Sequence, residues 1–158
     1  MKCIFLYGSL MDPEQLACTL NISISELHER CKPRIAVLKG YKRIFNKKSQ
    51  QWIAALNLIK TDNPDDEVWG IIINVDEAEF KRIKCREKQY HLEAVEVLVC
   101  GEKLRAKTFI SKILISSSEK PKTEYIQIVI KGAEYWNIKE QVLKNLYYAD
   151  GSPYIQSI

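Results

Sequence analysis

The stretch Lys2-Cys3-Ile4-Phe5-Leu6-Tyr7-Gly8-Ser9-Leu10-Met11-Asp12-Pro13-Glu14-Gln15 decides the fold. Its apolar first half reads as a strand ending near Tyr7. Tyr7-Gly8-Ser9 is a tight turn. Asp12-Pro13-x-Gln15 then opens a helix, with an N-cap carboxylate, a proline at the first helical position and a glutamine at the capping-box position. A strand that passes through a loop directly into a helix aims several backbone N–H groups at one point. That is how folds hold an anionic or oxyanionic group.

Further strands follow as short apolar segments between turn signals. Ile35 to Phe45 and Trp52 to Ile59 read as a pair around a polar turn at Asn46–Gln51. Thr61 to Asp66 is a second turn. Val68 to Val75 has the continuous apolar character of a buried central strand. Leu92 to Val99 alternates and pairs with Leu104 to Ile110 across the Cys100–Lys103 turn. Asp76-x-x-Glu79 is a capping box that opens a helix through about Arg86. Tyr125, Ile128, Val129, Gly132, Ala133 and Trp136 fall at helical spacing, and Ile138 to Tyr148 reads as the last helix. The regular alternation of a doubly wound sheet is absent. The pattern predicts an α+β protein with a mixed or closed sheet and helices at its ends. One domain is expected over residues 1–148, with 149–158 as an irregular tail.

Composition narrows the function classes. The chain has 158 residues, enough for one domain with its own core, and 46% of them are hydrophobic. The net charge of +4 permits an anionic substrate but does not by itself indicate nucleic acid. The basic residues from Arg30 to Arg34, with Lys39, Lys42, Arg43, Lys47 and Lys48, read as a solvated strand face. No apolar run approaches the roughly 20 residues that cross a bilayer, and no membrane partner is expected. Cys3 to Leu6 is too short for a signal-peptide core, so a cytoplasmic location is expected. Five cysteines without CxxC spacing read as reduced thiols, and no metal site or cofactor is expected. Cys85 with His91 lacks an orienting third group, so Cys85 reads as structural.

Glu87 is the chemical candidate. In the helix that opens at Asp76, position 87 lies seven residues after Phe80 and continues its apolar face. A carboxylate held there is desolvated, and its pKa rises toward the range useful for proton transfer. The alternative is a helix that ends at Cys85 and leaves Glu87 solvated in a loop.

Taken in order, several motifs resemble the γ-glutamylcyclotransferase-like superfamily, including the AIG2-like proteins. They are Tyr7-Gly8-Ser9-Leu10, Ala36-x-Leu38-x-Gly40-Tyr41-x-x-x-Phe45, Val68-Trp69-Gly70-Ile71, Arg86-Glu87-x-x-Tyr90 followed by Val95-x-Val97, and Tyr125 before Ile130-Lys131-Gly132-Ala133. The resemblance implies a small mixed β-barrel with surrounding short α-helices and a cavity beside the first loop. It implies that a γ-glutamyl compound cyclises to 5-oxoproline and expels an amine or amino acid, with Glu87 as general acid and base. It implies substrate contacts from Tyr7, Gly8, Ser9, Leu10 and Tyr125. Tyr7 and Tyr125 have core readings beside that one, and Ser9 has a local turn-capping reading. Leu10 stands where many members have Asn. Lys84 and Lys88 stand where some have Asp and Gly. These departures leave the leaving amine open between γ-glutamyl amino acids and γ-glutamyl amines or lysine isopeptides. A non-catalytic module that binds a small anion or a protein is the alternative from another class. The oligomeric state is left open.

Overall fold

The computed structural model describes residues 1–156. In chain order the elements begin with β1 (Lys2–Leu6), α1 (Pro13–Leu20), α2 (Ile24–Glu26), β2 (Arg34–Lys39), β3 (Tyr41–Ser49), β4 (Ile53–Lys60) and β5 (Glu67–Val75). They continue with α3 (Glu77–Arg86), β6 (His91–Val99), β7 (Glu102–Ile110), α4 (Thr123–Tyr135), α5 (Lys139–Lys144) and β8 (Tyr147–Tyr148). Five strands close a barrel in the order β1-β5-β2-β6-β7, and β4-β3-β8 form a second sheet. The barrel is mixed, because β1 meets β7 in parallel at Ile4–Lys107 while its other pairs are antiparallel. This is the expected α+β barrel with short helices around it. Among the described residues no helix is long and apolar enough to cross a membrane.

The core follows from the strand composition. Ile4, Phe5 and Leu6 of β1 and Ile71, Ile72 and Ile73 of β5 are all buried, which matches their unbroken apolar runs. The first turn folds as read from the sequence. A short 3₁₀ turn spans Ser9–Met11, and the Asp12 side chain caps α1 by accepting from the Glu14 N–H at 3.3 Å. Gln15 does not close a capping box there; its Oε1 accepts from Arg86. Asp76 and Glu79 do form the reciprocal box that starts α3.

Three boundaries differ from the sequence reading. Ile35 to Phe45 is two strands, because Gly40 takes φ +85 and turns the corner between barrel and second sheet. The corner is satisfied: the Gly40 N–H donates to Asp66 O at 2.8 Å, and the Thr61 N–H donates to Gly40 O at 2.7 Å. The expected turn at Asn46–Gln51 begins later, because β3 continues to Ser49 across a bulge between Phe45 and Lys47. Asn46 is buried there and accepts from Asn57 Nδ2 at 3.0 Å. The last helix stops at Lys144, not Tyr148. Asn145 uses its side chain instead, accepting from the Arg43 N–H at 3.0 Å and donating to Tyr41 O at 3.0 Å and Glu67 O at 2.8 Å. Tyr147 and Tyr148 then pair with Ile44 and Phe45 as β8. The following segment is irregular and tied back by the Tyr154 N–H, which donates to Leu146 O at 2.8 Å. Residues 157–158 of the expected tail lie outside the described residues.

Helix α4 packs directly on the first loop. Trp136 Nε1 donates to Met11 O at 2.7 Å, and Gly132 lies against the Met11–Asp12 backbone. A Cβ at position 132 would stand 2.6 Å from Asp12 N and 2.8 Å from Met11 C, both immovable main-chain atoms. Gly132→Ala gains about 1 kcal/mol of helix propensity but meets an overpacking cost of about 1–3 kcal/mol. Because both contacts are under 3 Å and main-chain, the cost falls at the upper end of that range, and the unfolding free energy in a denaturant titration is expected to fall by about 2 kcal/mol. A variant as stable as wild type would show that α4 and the loop are not locked together.

Candidate active site

The chain from β1 to α1 forms one wall of a cavity of about 410 Å³, a size suited to a small molecule. Tyr7, Gly8, Ser9 and Leu10 line it from that wall, Glu87 and Arg86 from the end of α3, and Tyr125 from α4. Lys47, Ser49, Ala55 and Leu56 of the second sheet close the far side with Trp52, and Tyr90 and Phe109 complete it. All six residues singled out in the sequence therefore border one space. Residues 149–156 do not line it.

Glu87 occupies a position between its two expected ones. Helix α3 ends at Arg86, and Glu87 is its C-cap, with φ −99 and ψ 43. Its N–H still donates to Ile83 O at 2.9 Å, so the residue keeps the helical phase and its carboxylate faces the cavity, half-buried. Among the described residues none forms a hydrogen bond or ion pair with that carboxylate. Burial raises its pKa above the ordinary glutamate value, and the Arg86 and Lys47 cations oppose the rise without cancelling it.

The tyrosines organise the opposite side. The Leu56 N–H donates to the Tyr125 hydroxyl at 3.0 Å, and the Tyr90 hydroxyl donates to Leu56 O at 2.8 Å. One residue of β4 is thus held from both sides. Tyr7 donates its hydroxyl proton to Phe109 O. Burial pushes the Tyr125 pKa up to about 12 and those of Tyr7 and Tyr90 well above normal, with Glu87 raising all three further. All three remain protonated at neutral pH. Tyr7 is thus both core and cavity wall. Among the described residues the Ser9 Oγ caps no main-chain group; it accepts from Arg86 Nη2 at 3.3 Å. Gly8 has negative φ, and an added Cβ would make only ordinary contacts, 3.5 Å to the Tyr125 hydroxyl and 3.6 Å to Leu56 Cβ. Neither backbone nor packing requires glycine here; a methyl would take up space on the cavity wall.

The basic stretch is not a uniform solvated face. Lys39 and Lys48 are exposed, but Arg43 is fully buried and Lys47 is 8% exposed. Arg43 lies before the bulge of β3 and is held by carbonyls of β5 and of the residue after β1, whereas Lys47 is placed by the bulge itself. The bulge skips Asn46, sets Lys47 opposite Ala55, and turns the Lys47 side chain to the cavity face. Arg86, Tyr90 and Lys47 join the cavity without having been assigned to it from the sequence. Arg86 and Tyr90 flank Glu87 in one motif, and Tyr90 lies one helical turn further on, a signal for both. Nothing in the sequence announces the bulge. Cys85 is exposed, and His91 pairs with Glu93 at 2.8 Å, so no thiol–imidazole pair forms. Among the described residues no cluster has the composition of a metal site.

A closed mixed barrel with a polar, small-molecule-sized cavity beside its first loop defines the class. The chain belongs to the family described as "Gamma-glutamyl cyclotransferase, AIG2-like", whose profile matches residues 4–127. No curated protein matches the sequence. Three solved structures share the fold. One is titled "Gamma-glutamyl cyclotransferase", at 19% identity over 89% of this chain and 85% of that one, with a TM-score of 0.68. A second is an uncharacterized protein from Homo sapiens, at 18% identity over 99% and 91%, with a TM-score of 0.71. The third is an AIG2-like protein from Mus musculus, at 17% identity over 80% and 82%, with a TM-score of 0.51.

The raised Glu87 pKa has a consequence for stability. The group's contribution is complete at acid pH, where the carboxyl is neutral in folded and unfolded chains alike. It is lost as pH rises through the folded-state value, because the ion then forms inside the cavity. Glu87→Gln avoids that loss. Its melting temperature should match wild type at about pH 4 and exceed it at about pH 8. A difference that is the same at both pH values would show that Glu87 does not ionise in a desolvated site.

Proposed function

We propose that this protein is a γ-glutamyl cyclotransferase that closes the γ-glutamyl group of a small molecule into 5-oxoproline and expels its amine. The half-buried Glu87 carboxylate, without a partner among the described residues and facing the cavity beside the Tyr7–Leu10 loop, carries the reading. Family membership supports it.

The reaction needs little beyond placement and proton transfer. Nucleophile and electrophile belong to one molecule, so fixing the folded rotamer of the γ-glutamyl chain supplies much of the rate. Glu87 takes a proton from the α-ammonium. The freed amine attacks the γ-carbonyl carbon and forms the ring C–N bond. The C–N bond to the leaving group then breaks, and Glu87 returns its proton to the departing nitrogen. Two protons leave the attacking nitrogen in all. The leaving amine ends with both of them as an ammonium, and no water is consumed.

Charge grows on the γ-carbonyl oxygen during attack. The backbone N–H groups of Gly8 to Leu10 open a helical turn, where such groups have no intrahelical acceptor, and they stabilise that oxygen. Gly8 leaves room for the close approach. Tyr7 and Tyr125 shape the wall and hold their protons at working pH. The raised Glu87 pKa brings its acid and base forms nearer to equal population at neutral pH, which suits a group that must play both roles.

Wild type is expected to release 5-oxoproline from at least one of a panel of γ-glutamyl amino acids, γ-glutamyl amines, γ-glutamyl-ε-lysine and glutathione. Glu87→Gln should lower kcat by about 10²- to 10⁴-fold without unfolding the protein. No release from any substrate by folded wild type would favour a non-catalytic binding module. A second variant separates the loop from the acid. Gly8→Ala should keep wild-type thermal stability while kcat/KM falls at least about 10-fold. Full activity in that variant would remove the loop from the reacting oxygen.

A further inference from the structure

We infer that Lys47 is a specificity-determining residue that holds a carboxylate on the leaving group, so that γ-glutamyl α-amino acids are preferred over γ-glutamyl amines. This inference rests on the cyclisation reading above and assigns the far end of the same cavity.

The first observation is an ion without a counter-ion. Lys47 is 8% exposed and lines the cavity. Its Nζ donates to Gln89 Oε1 at 2.8 Å, a neutral partner, and lies 5.1 Å from the centre of the Tyr90 ring. An ammonium has three donors, and the amide accepts one of them. Among the described residues no carboxylate lies within ion-pair distance of it. Glu87 is the carboxylate whose field it feels, and burial still pulls the Lys47 pKa below normal. A buried cation that faces an open cavity with an amide and an aromatic face as partners, and no anion among the described residues, is stabilised when a ligand supplies one.

The second observation is the placement of charge. Arg86 lies on the loop side of Glu87, where its Nη2 donates to Ser9 Oγ at 3.3 Å and Gln15 Oε1 at 3.4 Å. Lys47 lies on the second sheet, placed on the cavity face by the β3 bulge. Glu87 senses both cations, one from each wall. A γ-glutamyl substrate brings an α-ammonium, which Glu87 takes, and an α-carboxylate, which the Arg86 guanidinium takes, leaving the loop N–H groups to the γ-carbonyl oxygen. Lys47 is then left over. A γ-glutamyl amine offers it nothing, whereas a γ-glutamyl amino acid offers the carboxylate of its leaving group. A charge-assisted contact of this kind in a desolvated site gives discrimination of about 10- to 100-fold.

The test uses γ-glutamylalanine and γ-glutamylethylamide, which differ by that carboxylate alone, and γ-glutamylalaninamide, which keeps the shape and loses the charge. For wild type the kcat/KM ratio of γ-glutamylalanine to either neutral analogue should be about 10 to 100. Lys47→Gln should bring the ratio to within about 3-fold of one, and Lys47→Arg should retain most of it. A wild-type ratio near one overturns the inference. So does a ratio that survives in Lys47→Gln, or an equal loss on all three substrates, which marks a role in packing or in tuning Glu87. The wild-type comparison stands even if Lys47→Gln fails to fold. If wild type turns over none of the three, the cyclisation reading fails for these substrates. Calorimetric binding of the same compounds then decides the matter: tighter binding of γ-glutamylalanine that depends on Lys47 upholds the carboxylate site, and equal or absent binding overturns it.

Discussion

The Arg43 guanidinium holds the two sheets together. It is fully buried; its Nε donates to Tyr7 O at 2.9 Å and its Nη2 donates to Trp69 O. The first carbonyl follows directly on β1 and the second lies in β5, while Arg43 itself belongs to β3. Its own N–H is held by Asn145, which also fixes Tyr41 and Glu67. Three strands and the residue that follows α5 thus converge on one residue. Among the described residues no carboxylate pairs with it and its Nη1 has no partner, and burial lowers its pKa to about 9. Such an ion costs a good deal in desolvation, and carbonyl dipoles offset only part of it. What the ion secures is position. It anchors the Tyr7 carbonyl, the last fixed point before the Gly8–Leu10 turn.

The cavity is a consequence of that anchoring. With Tyr7 held, the turn runs across the mouth between barrel and second sheet, and α4 seals it from behind through Gly132 and Trp136. The same helix brings Tyr125 to the Leu56 N–H. Helix α3 ends where its C-cap residue faces the space so enclosed. Water is only partly excluded, which lets Glu87 ionise while keeping its pKa raised. The site thus combines rigid walls with one acid held above its ordinary pKa, the condition on which the proposed proton transfer draws.

Much of this was legible in the residues. The Asp76–Glu79 capping box set the start of α3, and counting from it offered Glu87 the inward phase seven residues after Phe80 beside a solvated loop position; the C-cap it occupies lies between the two. The strand–turn–helix opening was readable because each of its signals is local: an apolar run, a Gly-Ser turn, an Asp-Pro start. What stayed hidden depends on partners remote in sequence. Gly40 divides Ile35–Phe45 because Asp66 and Thr61 meet it there, and neither lies within that run. Asn145 ends the last helix early because three main-chain groups from β3 and β5 take its side chain. Lys47 reads as solvated because alternation counts residues, and the bulge at Asn46 shifts the count by one. Arg43 lies before the bulge and reads as solvated because its acceptors, Tyr7 O and Trp69 O, are remote in sequence.

Cyclisation keeps every oxygen of the γ-glutamyl group, whereas hydrolysis adds one from water. The most direct test is therefore turnover of a γ-glutamyl substrate in ¹⁸O-enriched water, read by mass spectrometry of the product. The account predicts 5-oxoproline without incorporated label, formed in step with one equivalent of free amine. Labelled glutamate as the product would contradict it, because the γ-carbonyl would then have been attacked by water and not by the substrate's own nitrogen.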